Sequence, residues 1–244
     1  GYKGAEDALI SGIEAAHDQA RREHFSQLHF GFTYAYRFVP TQDAAFFAYL
    51  GAHGGAALSR ALGFVGLDFY PGSIFPAVIP PGSSYRAELA QAAGVVRRCL
   101  APRAGIGSGV PLWITENGVP TGVLSEPQQA SALRELVRAA SDYSRTFGIS
   151  DYRWFNLRDS VSGGPAGPTG GLFATDGLLR SDYTAKPAFA TYRALIGRLG
   201  ASAAPPSRRR HSARHDGHRG VRGSVLVDDP AQPAVSEHQL APRL

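Results

Sequence analysis

Apolar and polar positions along the chain switch repeatedly between helical and strand periods. Leu9, Ile13, Ala16 and Ala20 recur at helical spacing and predict a helix over 5–25. HFGFTYAYRF follows, and alternation there puts Phe30, Phe32, Tyr34 and Tyr36 on one face of a first strand. Thr41 is placed to cap a second helix running through Ala57, and GFVGLDFYPG predicts a strand from 63 to 70. A third helix is expected over 85–100, and PLWITENG supplies the next strand after a Gly-rich connection. SEPQ at 125–128 reads as a capping box with Pro in the first turn, starting a helix to Phe147 through Leu133, Leu136, Val137 and Ala140. DYRWFNL, 151–157, is the fourth strand. The last helix, 185–199, carries Phe189, Tyr192, Ile196 and Leu199 on one face, with Gly200 placed to end it.

The order α-β-α-β-α-β-α-β-α is that of βα units on a parallel sheet. The predicted fold is α/β, half of a (β/α)8 TIM barrel: four βα units over residues 1–200. A complete barrel takes about 250 residues, so the missing half is expected before Gly1. The chain contains no Met, which fits a fragment of a longer protein. Beyond Gly200 the composition changes. Residues 201–244 lack aromatic side chains and hold seven Arg against four Asp and Glu, as a disordered C-terminal tail does. That tail carries more than half of the net charge of +5, so the body is nearly neutral and no nucleic acid partner is expected.

The remaining composition narrows the chemistry. Lys occurs only at Lys3 and Lys186 among 25 basic residues, the bias of a GC-rich gene. Cys99 is the single cysteine, so no intrachain disulfide can form, and it is expected to be a small buried hydrophobe. No apolar run approaches the roughly 18 residues of a membrane span. His17, His24, His29 and His53 have no metal-ligand spacing, and neither a metal nor a cofactor is expected. The compartment stays open.

In parallel barrels the reactive side chains stand at the C-terminal ends of the strands. Alternation would place Leu112, Ile114 and Glu116 on one face, the aliphatics filling the interior and the carboxylate at the mouth, with Asn117 next. On the preceding strand Asp68 and Tyr70 point inward while Val65, Leu67 and Phe69 face the helices. Trp154 and Asn156 share a face of the last strand, and Asp159 lies just beyond it. An indole to stack on a pyranose, a phenol and a carboxylate suit a sugar site. The plainer readings are a solvated strand-end carboxylate and ordinary core aromatics.

PLWITENG resembles the nucleophile strand of clan A glycoside hydrolases, closest to family 1, where a Glu in a Thr-Glu-Asn-Gly context ends the seventh strand. FVGLDFYP is similar to that family's sixth strand, with Asp68 where the pattern usually has Asn and Tyr70 matching the tyrosine that hydrogen-bonds the nucleophile. YRWFNLRDS resembles the eighth, with Trp154 matching the tryptophan under the sugar. The resemblance covers about residues 5–199 and implies a retaining glycosidase with Glu116 as nucleophile. Its general acid, a Glu in an Asn-Glu pair, has no counterpart, since that pair occurs nowhere in the chain. Asp68 and Asp159 stand as substitutes that do not match the motif.

Two functions follow as expectations. One is retaining hydrolysis of O-glycosidic bonds in a full-length parent; the other is a non-catalytic barrel-derived protein that binds a carbohydrate or a protein partner in recognition or defence. A half barrel also leaves strand edges unpaired and is expected to expose Phe30, Phe32, Leu112 and Ile114, so the missing half or self-association is the expected partner.

Overall fold

Four strands pair in the order in which they occur along the chain, every pair parallel. The computed structural model describes residues 4–36, 40–74, 76–122, 124–160 and 173–203. Its elements are α1 (Ala5–Arg22), β1 (Phe30–Ala35), α2 (Pro40–His53), α3 (Gly55–Ala61), β2 (Leu62–Asp68), α4 (Tyr85–Val95), β3 (Leu112–Glu116), α5 (Glu126–Asp142), α6 (Ser144–Phe147), β4 (Ile149–Tyr152) and α7 (Pro187–Ala203). Sequential parallel strands joined by helical crossovers make this an α/β fold with the arrangement of half a βα barrel. The tail from 204 onward and most of the SVSGGPAGPTGG loop lie outside the described residues.

Local signals start several helices where the sequence puts them. Ser84 accepts from the Ala87 amide and caps α4. Ser125 and Gln128 form the full capping box of α5, whose first turn contains Pro127. The helix expected from Thr41 to Ala57 is broken into α2 and α3 at Gly54 and Gly55, the latter at φ 50. Helix α4 runs on through a π-helical turn, Val96–Leu100, and a 3-10 turn, Ala101–Ala104. Cys99 lies exposed on the π turn, not buried as expected.

The core lies between the sheet and its helices. Phe32 packs against Phe46 and Phe47 of α2, Tyr34 against Phe47, and Tyr36 against Phe69. The alternation of β1 is therefore as expected, but its aromatic face is the helix-covered one. Leu112 and Ile114 are likewise fully buried in the core that holds Leu133 and Leu136 of α5. Each such side chain stabilises the fold by roughly 1.5–3 kcal/mol. The expectation that Phe32, Leu112 and Ile114 would be laid bare is thus corrected.

What the uncovered face carries is different: Thr33, Phe64, Gly66, Trp113 and Thr115, with Phe64 stacked on Trp113 at 3.9 Å and the Arg153 guanidinium over the Trp113 ring.

The last two elements shift from their expected bounds. Strand β4 begins at Ile149, after Gly148 in the left-handed region, and ends at Tyr152, so Trp154 and Asn156 lie beyond it. Helix α7 passes through Gly200 and buries Ala188 and Leu195, while Ile196 and Leu199 are exposed. The anticipated stripe of α7 is rotated toward Ala188 and Leu195, with Phe189 and Tyr192 only partly buried against the core.

Candidate functional site

Strict alternation would send Glu116 to the helix side with Leu112 and Ile114. It does not, because the pairing slips by one residue: Leu67 is opposite Ile114, whereas Asp68 is opposite Glu116, leaving Thr115 as the extra residue. The bulge returns Glu116 to the uncovered face beside Asp68. Glu116 therefore reaches the expected place for a different reason than the one its strand pattern suggests.

Around this step the side chains interlock. The Tyr70 hydroxyl donates to Glu116 Oε2 at 2.8 Å. The Thr115 hydroxyl donates to Asp68 Oδ1, also at 2.8 Å. Room for Thr115 comes from Gly66, where a Cβ would stand 2.7 Å from Thr115 Oγ1 and 2.9 Å from Thr33 Cγ2. Burial raises the Asp68 carboxyl above the ordinary range, the Thr115 and Thr33 hydroxyls pull it back, and the Glu116 charge raises it further. Burial and the hydrogen bond to Glu116 push the Tyr70 phenol far up, so it remains a donor throughout the physiological range.

The other residues singled out from the sequence hold this corner together. Asn117 is fully buried; its Nδ2 donates to the Phe69 carbonyl at 2.6 Å and its Oδ1 accepts from the Tyr152 hydroxyl at 2.7 Å. It ties β2, β3 and β4 to one another and does not face the surface. Trp154 is buried in the core and donates its indole N–H to the Asp176 carbonyl at 2.8 Å. The ring that stands against Tyr70 is that of the next residue, Phe155, at 6.3 Å between centroids, with Phe173 at 5.1 Å. Asn156 accepts the Arg158 amide through Oδ1. Asp159 is buried and bonded to the Lys186 ammonium and the Gly177 amide, each at 2.8 Å. Asp68, Tyr70 and Glu116 are thus brought together, while Asn117, Trp154 and Asp159 are set behind them.

Two residues were not anticipated. Lys186, 2 % exposed, also donates to Thr121 Oγ1 and the Thr175 carbonyl. Asp176, 1 % exposed, has no hydrogen-bond partner on either carboxyl oxygen among the described residues, and its Cγ lies 3.1 Å from where a Gly118 Cβ would be. Burial pushes its carboxyl up to about 8, with Lys186 lowering and Asp159 raising it. Burial thus favours its neutral form. The signal for Lys186 was available: it is one of only two lysines among 25 basic residues, and its sequence neighbours Ala185, Pro187 and Ala188 are apolar.

No group of three or more His, Cys, Asp and Glu side chains with metal-binding geometry occurs among the described residues, and no described helix is long and apolar enough to cross a membrane.

No protein-family model matches the chain, and no curated protein gives a significant match. Solved structures do. A psychrophilic family 10 endo-β-1,4-xylanase matches at 13% identity and a TM-score of 0.49, over 76% of this chain and 50% of its own. A family 5 glycoside hydrolase from Bifidobacterium longum subsp. longum, in complex with Manβ1-4GlcNAc, matches at 18% identity and TM-score 0.45, over 83% and 54%. A family 2 β-galacturonidase from Eisenbergiella tayi, bound to glycerol, matches at 17% and 0.43, over 65% and 31%. The chain thus spans between about a third and about half the length of these neighbours. The likeness is to glycoside hydrolases of several families, none of these three being of the family 1 that the strand motifs resemble.

Proposed function

We propose that the chain forms part of a retaining glycoside hydrolase, similar to family 1, in which Glu116 is the nucleophile. The observation that carries this is the 2.8 Å hydrogen bond from Tyr70 to Glu116 at the C-terminal ends of neighbouring parallel strands. A phenol donating to one carboxyl oxygen fixes the other for attack on an anomeric carbon. The substrate class is a carbohydrate O-glycoside. Phe155 and Phe173, gathered around Tyr70, furnish apolar edges for a pyranose face, the part expected of Trp154.

Completion of the barrel belongs to the same reading. Within the described sheet β1 and β4 each pair with one neighbour, and Thr33 and Ala35 stand exposed on the uncovered side. A cavity of about 580 Å³ lies at the β1 edge, lined by residues that include Thr33, Tyr34, Ala35 and Phe46 but neither Tyr70 nor Glu116. A sugar at Glu116 therefore needs further walls, which additional βα units of a longer protein, or a second copy, are placed to supply.

A 2-deoxy-2-fluoro glycoside with an activated aryl leaving group tests the nucleophile. The expected result is a covalent glycosyl adduct on a peptide containing Glu116 and none after Glu116→Gln. Binding of sugars without any adduct in the complete protein would favour a non-catalytic carbohydrate-binding role.

A further inference from the structure

We propose that the cleft at the N-terminal ends of β3 and β4 binds a phosphate group, held between Arg97 and Arg145. The cleft lies where these strands begin, at the opposite end of β3 from Glu116. It is therefore independent of the reading of Glu116 as nucleophile.

The sequence supplies the charge. No acidic residue occurs between Glu88 and Glu116, a stretch that holds Arg97, Arg98 and Arg103, and none occurs from Tyr143 to Ser150 around Arg145. The fold brings the two stretches together. Arg97 stands on the π-helical turn Val96–Leu100, and its guanidinium donates to the carbonyls of Phe147 and Gly148 just before β4. Gly148 admits it, since a Cβ there would stand 2.9 Å from Arg97 Nη2. The Arg98 guanidinium covers the Phe147 ring, 5.7 Å from its centroid, and adds to the positive field. Single π turns within helices recur at functional sites.

The counter-charge is missing. Arg97 is half-buried, and burial lowers its pKa with no acidic neighbour to offset the effect. Its two bonds go to neutral carbonyls, which leaves the rest of its five N–H donors unused. Arg145 makes no hydrogen bond or ion pair among the described residues. The carboxylates nearest to it in the chain are engaged elsewhere, Asp142 with Arg86 at 2.6 Å and Asp151 with Arg153 at 2.8 Å. A guanidinium withdrawn from water is ordinarily paired, and here that partner is left to a ligand.

The space between the two arginines suits one. It measures about 440 Å³ and is lined by Arg97, Arg145, Ser108, Thr146 and the apolar Pro102 and Ile106, with no carboxylate. That is the size of a small-molecule site. Two guanidinium forks and two hydroxyls offer more donors than the paired oxygens and single charge of a carboxylate can use. A phosphate group, with its three terminal oxygens and a charge of about −2, matches them. One cleft of this kind is not the extended basic stripe that a nucleic acid backbone requires.

Calorimetric titration of the full 244-residue chain with inorganic phosphate, and separately with glucose 6-phosphate, tests this at an ionic strength held constant with sodium chloride. We expect saturable binding at one site and a rise in melting temperature with ligand. Arg145→Gln breaks no contact within the protein, so it should melt with the parent when no ligand is present. It should weaken binding by about tenfold or more, the loss of one charge-assisted pair. Arg97→Lys keeps the charge but not the planar fork and should weaken binding as well. Arg103→Gln removes the same charge from a residue that does not line the cleft, and should change affinity by less than about twofold because exposed charges are screened. Equal affinity for the two probes assigns the site to free phosphate, and binding of the sugar phosphate tighter by about tenfold assigns it to a phosphorylated sugar. Neither saturable heat nor a rise in melting temperature with either probe would overturn the proposal. So would equal weakening by Arg103→Gln and Arg145→Gln, because binding would then follow net charge alone.

Discussion

Tyr70 and Glu116 are 46 residues apart in the chain, yet the hydroxyl of one donates to Oε2 of the other at 2.8 Å because β2 and β3 are parallel neighbours and the bulge at Thr115 turns Glu116 toward Tyr70. A neutral donor aimed at a carboxylate contributes on the order of 1.5–3 kcal/mol. Tyr70→Phe keeps the ring, its contacts with Phe155 and Phe173 and most of the burial. We expect it to slow adduct formation at Glu116 by about 10- to 100-fold and to lower stability by no more than the roughly 1.5–3 kcal/mol of the lost bond. An unchanged labelling rate would mean that the hydrogen bond has no part in reactivity.

Much of this corner follows from short-range signals, and some does not. The capping box at Ser125, the strand run around Leu67 and the Thr-Glu-Asn-Gly ending are local, so they were legible. The bulge was not, since a slip in pairing depends on two strands at once and reverses which side of β3 is buried. Trp154 was misplaced for a related reason: β4 stops at Tyr152, and once pairing ends, alternation no longer says where a side chain points. The buried charges were hidden because Asp159, Asp176 and Lys186 meet only through a loop and the start of a helix.

Asp176 makes stability depend on pH. Its folded-state carboxyl is raised to about 8, whereas in the unfolded chain it titrates near 3.9. Between those values the unfolded state releases the proton and the folded state keeps it, so stability falls as pH rises from about 4 to about 8 and is flat for this group beyond. Asp176→Asn cannot ionise. We expect it to be more stable than the parent by about 2–5 kcal/mol at pH 8 and nearly equal to it at pH 4, as read from urea midpoints at the two pH values. A difference that does not vary with pH would show that Asp176 is ionised in the folded protein.

The Asp159–Lys186 pair lies 1 % exposed on both sides at 2.8 Å. Such a pair adds modest net stability, but removal of one partner strands the other charge in the interior at a cost of about 3–5 kcal/mol. Lys186→Met should lose about that much. The double change with Asp159→Asn should lose clearly less than the sum of the two single changes, because no unpaired charge remains. Additive losses in a denaturation cycle would show that the two groups do not interact energetically.

Gly118 tests whether packing behind the carboxylate sets its position. A Cβ there would stand 2.5 Å from the Phe155 carbonyl oxygen, 3.1 Å from Asp176 Cγ and 3.2 Å from Tyr70 Cε1, so backbone, a buried carboxyl and the phenol ring would all have to move. Gly118→Ala should therefore cost about 1–3 kcal/mol of stability, and it should also slow adduct formation at Glu116, because the group displaced most easily is the ring whose hydroxyl holds that carboxylate. Gly107, where an added Cβ meets nothing within 4 Å, is the matched control; Gly107→Ala should leave both quantities within error. If Gly118→Ala lowers stability but leaves the labelling rate of the folded fraction unchanged, Tyr70 is held by its own contacts on β2 and the Thr-Glu-Asn-Gly glycine serves the fold alone.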